Sequence, residues 1–239
     1  MTKKNLRKLI ENLIKQQLTD NNYSLNCANT PLETAVKYAS EQFENAGKDL
    51  YTIIPDFDEN YKKLQKYCKS ALDIPRIDMP VIEPNEMKEF DNSLKKGHID
   101  IFKPHVKKEL FPTKLNKQTG KNWLTLGIQD GDKLDDIING KWTKVPATNL
   151  KPTQSQIWLE NIIPNIIKFG VPSNTSPIAK ATLIISKEGY ILDGHHRYGQ
   201  AIIANPNLKM NVLYIPLDIN TLVKMSRSYG NAIGNKAKA

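Results

Sequence analysis

The chain has 239 residues, of which 39 % are hydrophobic and 25 % charged. That length admits one large domain or two small ones, and the composition is slightly polar but outside the disordered class. No stretch approaches the roughly 20 consecutive apolar residues of a membrane span. Met1-Thr2-Lys3-Lys4 runs into a charged helical pattern without an apolar signal core, so the protein is expected to be soluble, cytoplasmic and without a membrane partner. Cys27 and Cys68 show no CxxC or Cys/His spacing, which argues against a disulfide framework or a zinc finger and fits a reducing compartment.

The net charge of +9 is unevenly placed. Residues 141–239 hold 12 Lys/Arg against 4 Asp/Glu, whereas residues 1–140 hold 22 against 21. The C-terminal excess suits a polyanionic partner, nucleotide phosphate or DNA, as well as a solubilising surface. Arginine occurs only at Arg7, Arg76, Arg197 and Arg227, while the other 30 basic residues are lysine. In so lysine-rich a chain, each arginine is a candidate for a role that needs its planar donor fork.

Leu6, Leu9, Ile10, Leu13, Ile14 and Leu18 recur at helical spacing and predict an amphipathic first helix. Thr30-Pro31 with Glu33 reads as a helix start, with Ala35, Val36, Ala39 and Phe43 as its buried stripe. A third helix is expected after Asp58, with Tyr61, Leu64, Tyr67, Cys68 and Leu72 on one side. Residues 1–74 thus form a helical part. From Ile74 to Pro112 five prolines interrupt every pattern, so 75–140 reads as an extended connector carrying the loop histidines His98 and His105. Within it Trp123–Ile128 is a candidate strand and Lys133–Ile138 a short helix, with Asp130, Asp132, Asp135 and Asp136 in turn and capping roles rather than a calcium loop.

Residues 141–239 read as an α+β domain. Lys144–Leu150 is extended, and Thr153 or Ser155 is expected to cap a helix through Ile157, Trp158, Ile162 and Ile163 that Pro164 ends or bends. Ala181–Ser186 is a buried strand, Lys187-Glu188-Gly189 a hairpin turn and Tyr190–Leu192 the returning strand. A helix then opens at Asp193-Gly194-His195-His196-Arg197-Tyr198. Met210–Leu217 is another strand, and Asp218 caps a last helix.

Two of the four histidines and one of the four arginines share that Asp193–Arg197 turn. A strand passing through glycine into a helix gathers unpaired backbone N–H groups at the positive end of the helix dipole, which is an anion site. Gly194 permits close backbone approach, and His196 and Arg197 can donate to phosphate oxygens. Asp193 can orient a histidine, hold Mg²⁺ or act as a base.

The segment Leu192-Asp193-Gly194-His195-His196-Arg197-Tyr198, between a strand hairpin and an alanine-containing helix, resembles the ParB/sulfiredoxin fold, often labelled a ParB-like nuclease domain. Val145-Pro146-Ala147-Thr148-Asn149-Leu150-Lys151-Pro152 is similar to the opening of ParB domains. The resemblance covers about residues 141–239, preceded by the helical part and the connector, an arrangement similar to ParB-like proteins of tailed bacteriophages acting in the host cytoplasm. It implies phosphate or nucleotide binding at Gly194, His196, Arg197 and Lys151, with a nucleotide di- or triphosphate and Mg²⁺ as cofactors and Asp193 as the metal ligand. His195 stands where sulfiredoxins have their catalytic cysteine, which excludes sulfinic-acid reduction, and the Glu-Arg-Arg turn of partition clamps is missing. An Asp-Gly-x-His-Arg turn looks closest to the free serine kinases of this fold, which implies Asp193, His195 and His196 in phosphoryl transfer, with Glu160 as the positional match for an upstream glutamate. The expectation is nucleotide hydrolysis, phosphotransfer or DNA cleavage at Asp193–Arg197, with a non-catalytic nucleotide- or DNA-binding module as the alternative.

Overall fold

The computed structural model describes residues 24–101, 132 and 134–235. The first helix, the candidate strand at Trp123–Ile128 and His105 lie outside them. Among the described residues the elements in chain order are α1 (Leu32–Asn45), α2 (Leu50–Ile53), α3 (Phe57–Lys69), α4 (Met87–Lys95), β1 (Lys141–Pro146), β2 (Lys151–Pro152), α5 (Leu159–Phe169), α6 (Pro177–Lys180), β3 (Leu183–Ile185), β4 (Tyr190–Asp193), α7 (His195–Ala204), β5 (Lys209–Tyr214) and α8 (Ile219–Ala232). The fold is mixed α+β, built on a five-stranded sheet of order β1-β5-β3-β4-β2. Strand β5 pairs antiparallel with β1 and parallel with β3, and β4 pairs antiparallel with β3 and parallel with β2.

The central strands are continuously apolar because both faces of the sheet are covered. Leu183, Ile185, Ile191, Met210 and Val212 point into one core, shared with α1, α3, α5 and α7. Ile184, Leu192 and Leu213, the alternate positions, point into the opposite core with α4 and α8. No helix among the described residues is long and apolar enough to cross a membrane.

Several local expectations change. The proline-containing connector is not merely extended: it forms α4, and Met79, Ile82, Met87, Phe90, Leu94, Ile99 and Ile138 build the second core. Its apolar residues pair with α8, a partner about 140 residues away that no local pattern discloses. The segment 134–138 is not helical; the buried Asp136 Oδ1 instead accepts from the Ile101 N–H at 2.6 Å. Pro31, not Thr30, holds the N-cap position of α1 and no side chain caps it; the Thr30 carbonyl accepts from Tyr61 Oη and Gln65 Nε2, each at 2.7 Å. Helix α5 starts at Leu159, later than a Thr153 or Ser155 cap allows, and runs through Pro164 to Phe169. Leu72 lies beyond the end of α3 and is exposed.

Cys27 and Cys68 are joined in a disulfide, which corrects the reading of the cysteines from their spacing. Both are buried between the segment 24–30 and the end of α3. Spacing along the chain carried no sign of it because the pair meets only through packing: Cys27 N–H donates to the Ile157 carbonyl at 2.9 Å, which pins its segment beside the stretch that leads into α5.

Candidate functional site

The sequence Tyr190–Tyr198 folds into β4, a glycine corner and the first turn of α7. Ile184 and Ile185, consecutive on β3, pair with Asp193 and Ile191, so β4 carries one extra residue in a bulge at its end. The bulge brings Asp193 onto the face of Ile184, which looks toward the segment after α3. Gly194 then turns the chain with φ of +101°, the left-handed region that favours glycine. A Cβ there would run into Leu183 Cδ2 and lie 2.9 Å from Arg197 Nη2, so both backbone angle and space demand glycine. The first intrahelical bond runs from Tyr198 N–H to the Gly194 carbonyl at 3.0 Å, so the N–H groups of His195, His196 and Arg197 precede the helical ladder.

Packing behind the turn holds α7 in place. Gly199 lets α5 approach: a Cβ there would meet Ile162 Cδ1 at 2.5 Å. Asn60 Nδ2 on α3 donates to the Ile203 carbonyl at 2.9 Å, at the far end of the helix.

The turn faces a cleft of about 270 Å³, lined opposite by Arg76 and the segment Met79–Pro84, which includes Glu83. Asp193 and Arg197 form an ion pair at 2.6 Å, and Arg197 Nη1 donates to the Thr182 carbonyl at 3.1 Å. The guanidinium that the sequence offers to phosphate is therefore bonded within the fold. Burial pushes the Asp193 carboxyl above its ordinary value; Arg197 and Arg76 oppose the shift and Glu83 adds to it.

The two histidines diverge. His195 is buried, and its Nε2 accepts from the Thr153 N–H at 3.2 Å, with Thr153 Oγ1 at 2.8 Å. Accepting at Nε2 requires the neutral ring, and burial, reinforced by His196, Arg76 and Arg197, lowers its pKa to about 3. His196 Nε2 accepts from the Trp158 N–H at 3.2 Å, with Asn161 Nδ2 at 3.3 Å, which places its proton on Nδ1. Burial and Arg76 lower its pKa to about 4. Both rings are neutral at pH 7 and brace α7 against the 153–161 segment.

The remaining sequence candidates lie elsewhere. Glu160 Oε1 accepts from the Leu25 N–H at 2.6 Å, tying the 24–30 segment to α5, and the residue does not line the cleft. Lys151 sits on the edge strand β2 with its Nζ over the Tyr190 ring, 5.3 Å from the centroid. Among the described residues no group of three or more His, Cys, Asp or Glu side chains gathers as a metal site. Asp193, with an oxygen committed to Arg197, does not by itself form one for Mg²⁺.

Arg76 and Glu83, absent from the sequence-based site, reach it from the other core. The scarcity of arginine was the available signal for Arg76; nothing local marked Glu83. Comparison of the chain with protein-family models, with curated proteins and with solved structures finds no match in any of the three.

Proposed function

We propose that this chain binds the phosphate groups of a nucleotide or of DNA at the Asp193–Arg197 turn. The observation that carries the reading is the opening of the first turn of α7, through a left-handed Gly194, onto a concave cleft. Three backbone donors and the helix dipole converge there on one point, an arrangement suited to a phosphate oxygen. The strand hairpin before the turn and the helix after it agree with the resemblance to the ParB/sulfiredoxin fold. The side chains of His195, His196 and Arg197 are hydrogen-bonded within the fold, which leaves the backbone N–H groups of the turn to an anion.

Phosphoryl chemistry is the second reading, favoured by Asp193. Its carboxyl lines the cleft with its proton affinity raised by burial, as suits a group that accepts a proton from an attacking hydroxyl or water. Mg²⁺ would have to arrive with the phosphates, which commonly supply several of its ligands.

Calorimetric titration of the full chain with ATP, CTP and a short DNA duplex tests the first reading, and phosphate release in the presence of Mg²⁺ tests the second. Binding of at least one phosphate ester, weakening as salt rises, is expected. Absence of binding for all three at millimolar concentration would overturn the phosphate reading.

A further inference from the structure

We infer that Arg76 is the side-chain cation that holds the anion in this cleft, and that Glu83 selects small phosphate esters with hydrogen-bond donors over a nucleic-acid strand. The inference rests on the phosphate reading of the cleft and adds to it the wall contributed by residues 76–84.

Within the turn, the charges of Arg197 and Asp193 are spent on one another. Arg76 differs. It is exposed, lines the cleft, and its one side-chain hydrogen bond among the described residues is a long one, 3.4 Å to Gln154 Oε1. It shares the cleft lining with the Asp193–Arg197 turn, and its positive charge acts on Asp193, His195 and His196. A forked donor facing the helix terminus can take two phosphate oxygens while backbone N–H groups take another.

Glu83 lines the same cleft and its negative charge acts on Asp193. A carboxylate beside an anion seat repels a ligand that is anionic along its whole length. It accepts hydrogen bonds from hydroxyl or amino groups of a ligand that is anionic at one end. The cleft volume of about 270 Å³ is close to the lower limit, roughly 300 Å³, of common small-molecule pockets. Pro80, Val81 and Pro84 give it an apolar surface for the body of such a molecule.

The wall is fixed before a ligand arrives. Ile74 N–H donates to the Thr153 carbonyl at 3.1 Å, Arg227 Nη1 pairs with Asp78 at 2.9 Å, and Asn235 Nδ2 donates to the Val81 carbonyl at 2.9 Å and to Glu86 Oε2 at 2.7 Å. Such anchoring lowers the ordering cost of binding.

Two probes separate the parts: pyrophosphate, which carries no ribose or base donors, and ADP, which carries hydroxyl and amino groups. In calorimetry on the full chain, Arg76→Gln should weaken both by tenfold or more, and Arg76→Lys should recover part of the loss. Glu83→Gln should weaken ADP at least threefold while leaving pyrophosphate unchanged or tighter. A 24-base-pair duplex at matched phosphate concentration should not displace ADP. Circular dichroism checks each fold, and both positions are exposed. Wild-type binding that Arg76→Gln leaves unaltered would overturn the role of Arg76 while keeping the phosphate site. A Glu83→Gln variant with unchanged preference, or displacement by the duplex, would overturn the selection. Wild-type binding of neither probe would overturn this inference, and the phosphate reading falls with it only if ATP, CTP and the duplex also fail to bind.

Discussion

Arg197 reaches back one helical turn to Asp193, closing a 2.6 Å ion pair across the glycine corner between β4 and α7. The pair joins the last residue of a strand to the first turn of the following helix, and the carbonyl of Thr182, just before β3, anchors it. The arginine therefore acts first as a strut. Arg197→Lys keeps the charge but cannot span both acceptors, and should destabilise the fold by about 1 kcal/mol, a figure kept low because Asp193 retains 36 % exposure. A double-mutant cycle with Asp193→Asn in urea should show a favourable coupling between the two. Additive effects would mean that the pair contributes nothing to stability.

Gly194→Ala puts a Cβ in a left-handed backbone and into the Leu183 side chain. The conformational cost alone is about 1–2 kcal/mol, and the collision adds to it. Thermal unfolding should show a lower midpoint even without ligand. A variant of wild-type stability would remove the close-packing account of this corner.

Acid should destabilise the protein through His195 and His196. Their folded pKa values, about 3 and about 4, lie below the ordinary 6.5, so the unfolded chain binds more protons between those limits. The stabilisation from keeping both rings neutral is fully present above about pH 6.5 and is lost as pH falls toward the folded values. At pH 5.5 the loss approaches about 1.4 kcal/mol for each ring. The raised Asp193 carboxyl acts in the opposite sense, so denaturant titrations of the Asp193→Asn variant at pH 7.5 and 5.5 isolate the histidines. Equal stability at the two values would show that one or both rings ionise within the fold.

The Cys27–Cys68 bond closes a loop of 41 residues in sequence separation. Constraint of the unfolded chain over such a loop corresponds to about 4 kcal/mol in the chain-entropy account. Dithiothreitol, or Cys27→Ala with Cys68→Ala, should lower the melting temperature of the full chain by several degrees. Thiol titration of the denatured, unreduced protein should find no free cysteine. Two titrating thiols would contradict the bond.

Sequence alone determined the elements whose determinants are neighbours along the chain. Lys187-Glu188-Gly189 joins β3 to β4 as the hairpin reading requires, Asp218 Oδ1 caps α8 by accepting from the Thr221 N–H at 3.0 Å, and Gly194 marks the junction of β4 with α7. Turn geometry and capping are decided within a few residues, so they are visible in one dimension. Only the tertiary structure decided which charges meet. Arg197 turned inward to Asp193 and Thr182, His195 to Thr153 and Glu160 to Leu25, while Arg76 and Glu83 came to the cleft from a segment more than a hundred residues away. The Cys27–Cys68 bond belongs to the same class. Each depends on two faces of one sheet being covered by distant helices, and the burial that drives this acts on apolar area whatever the chain separation.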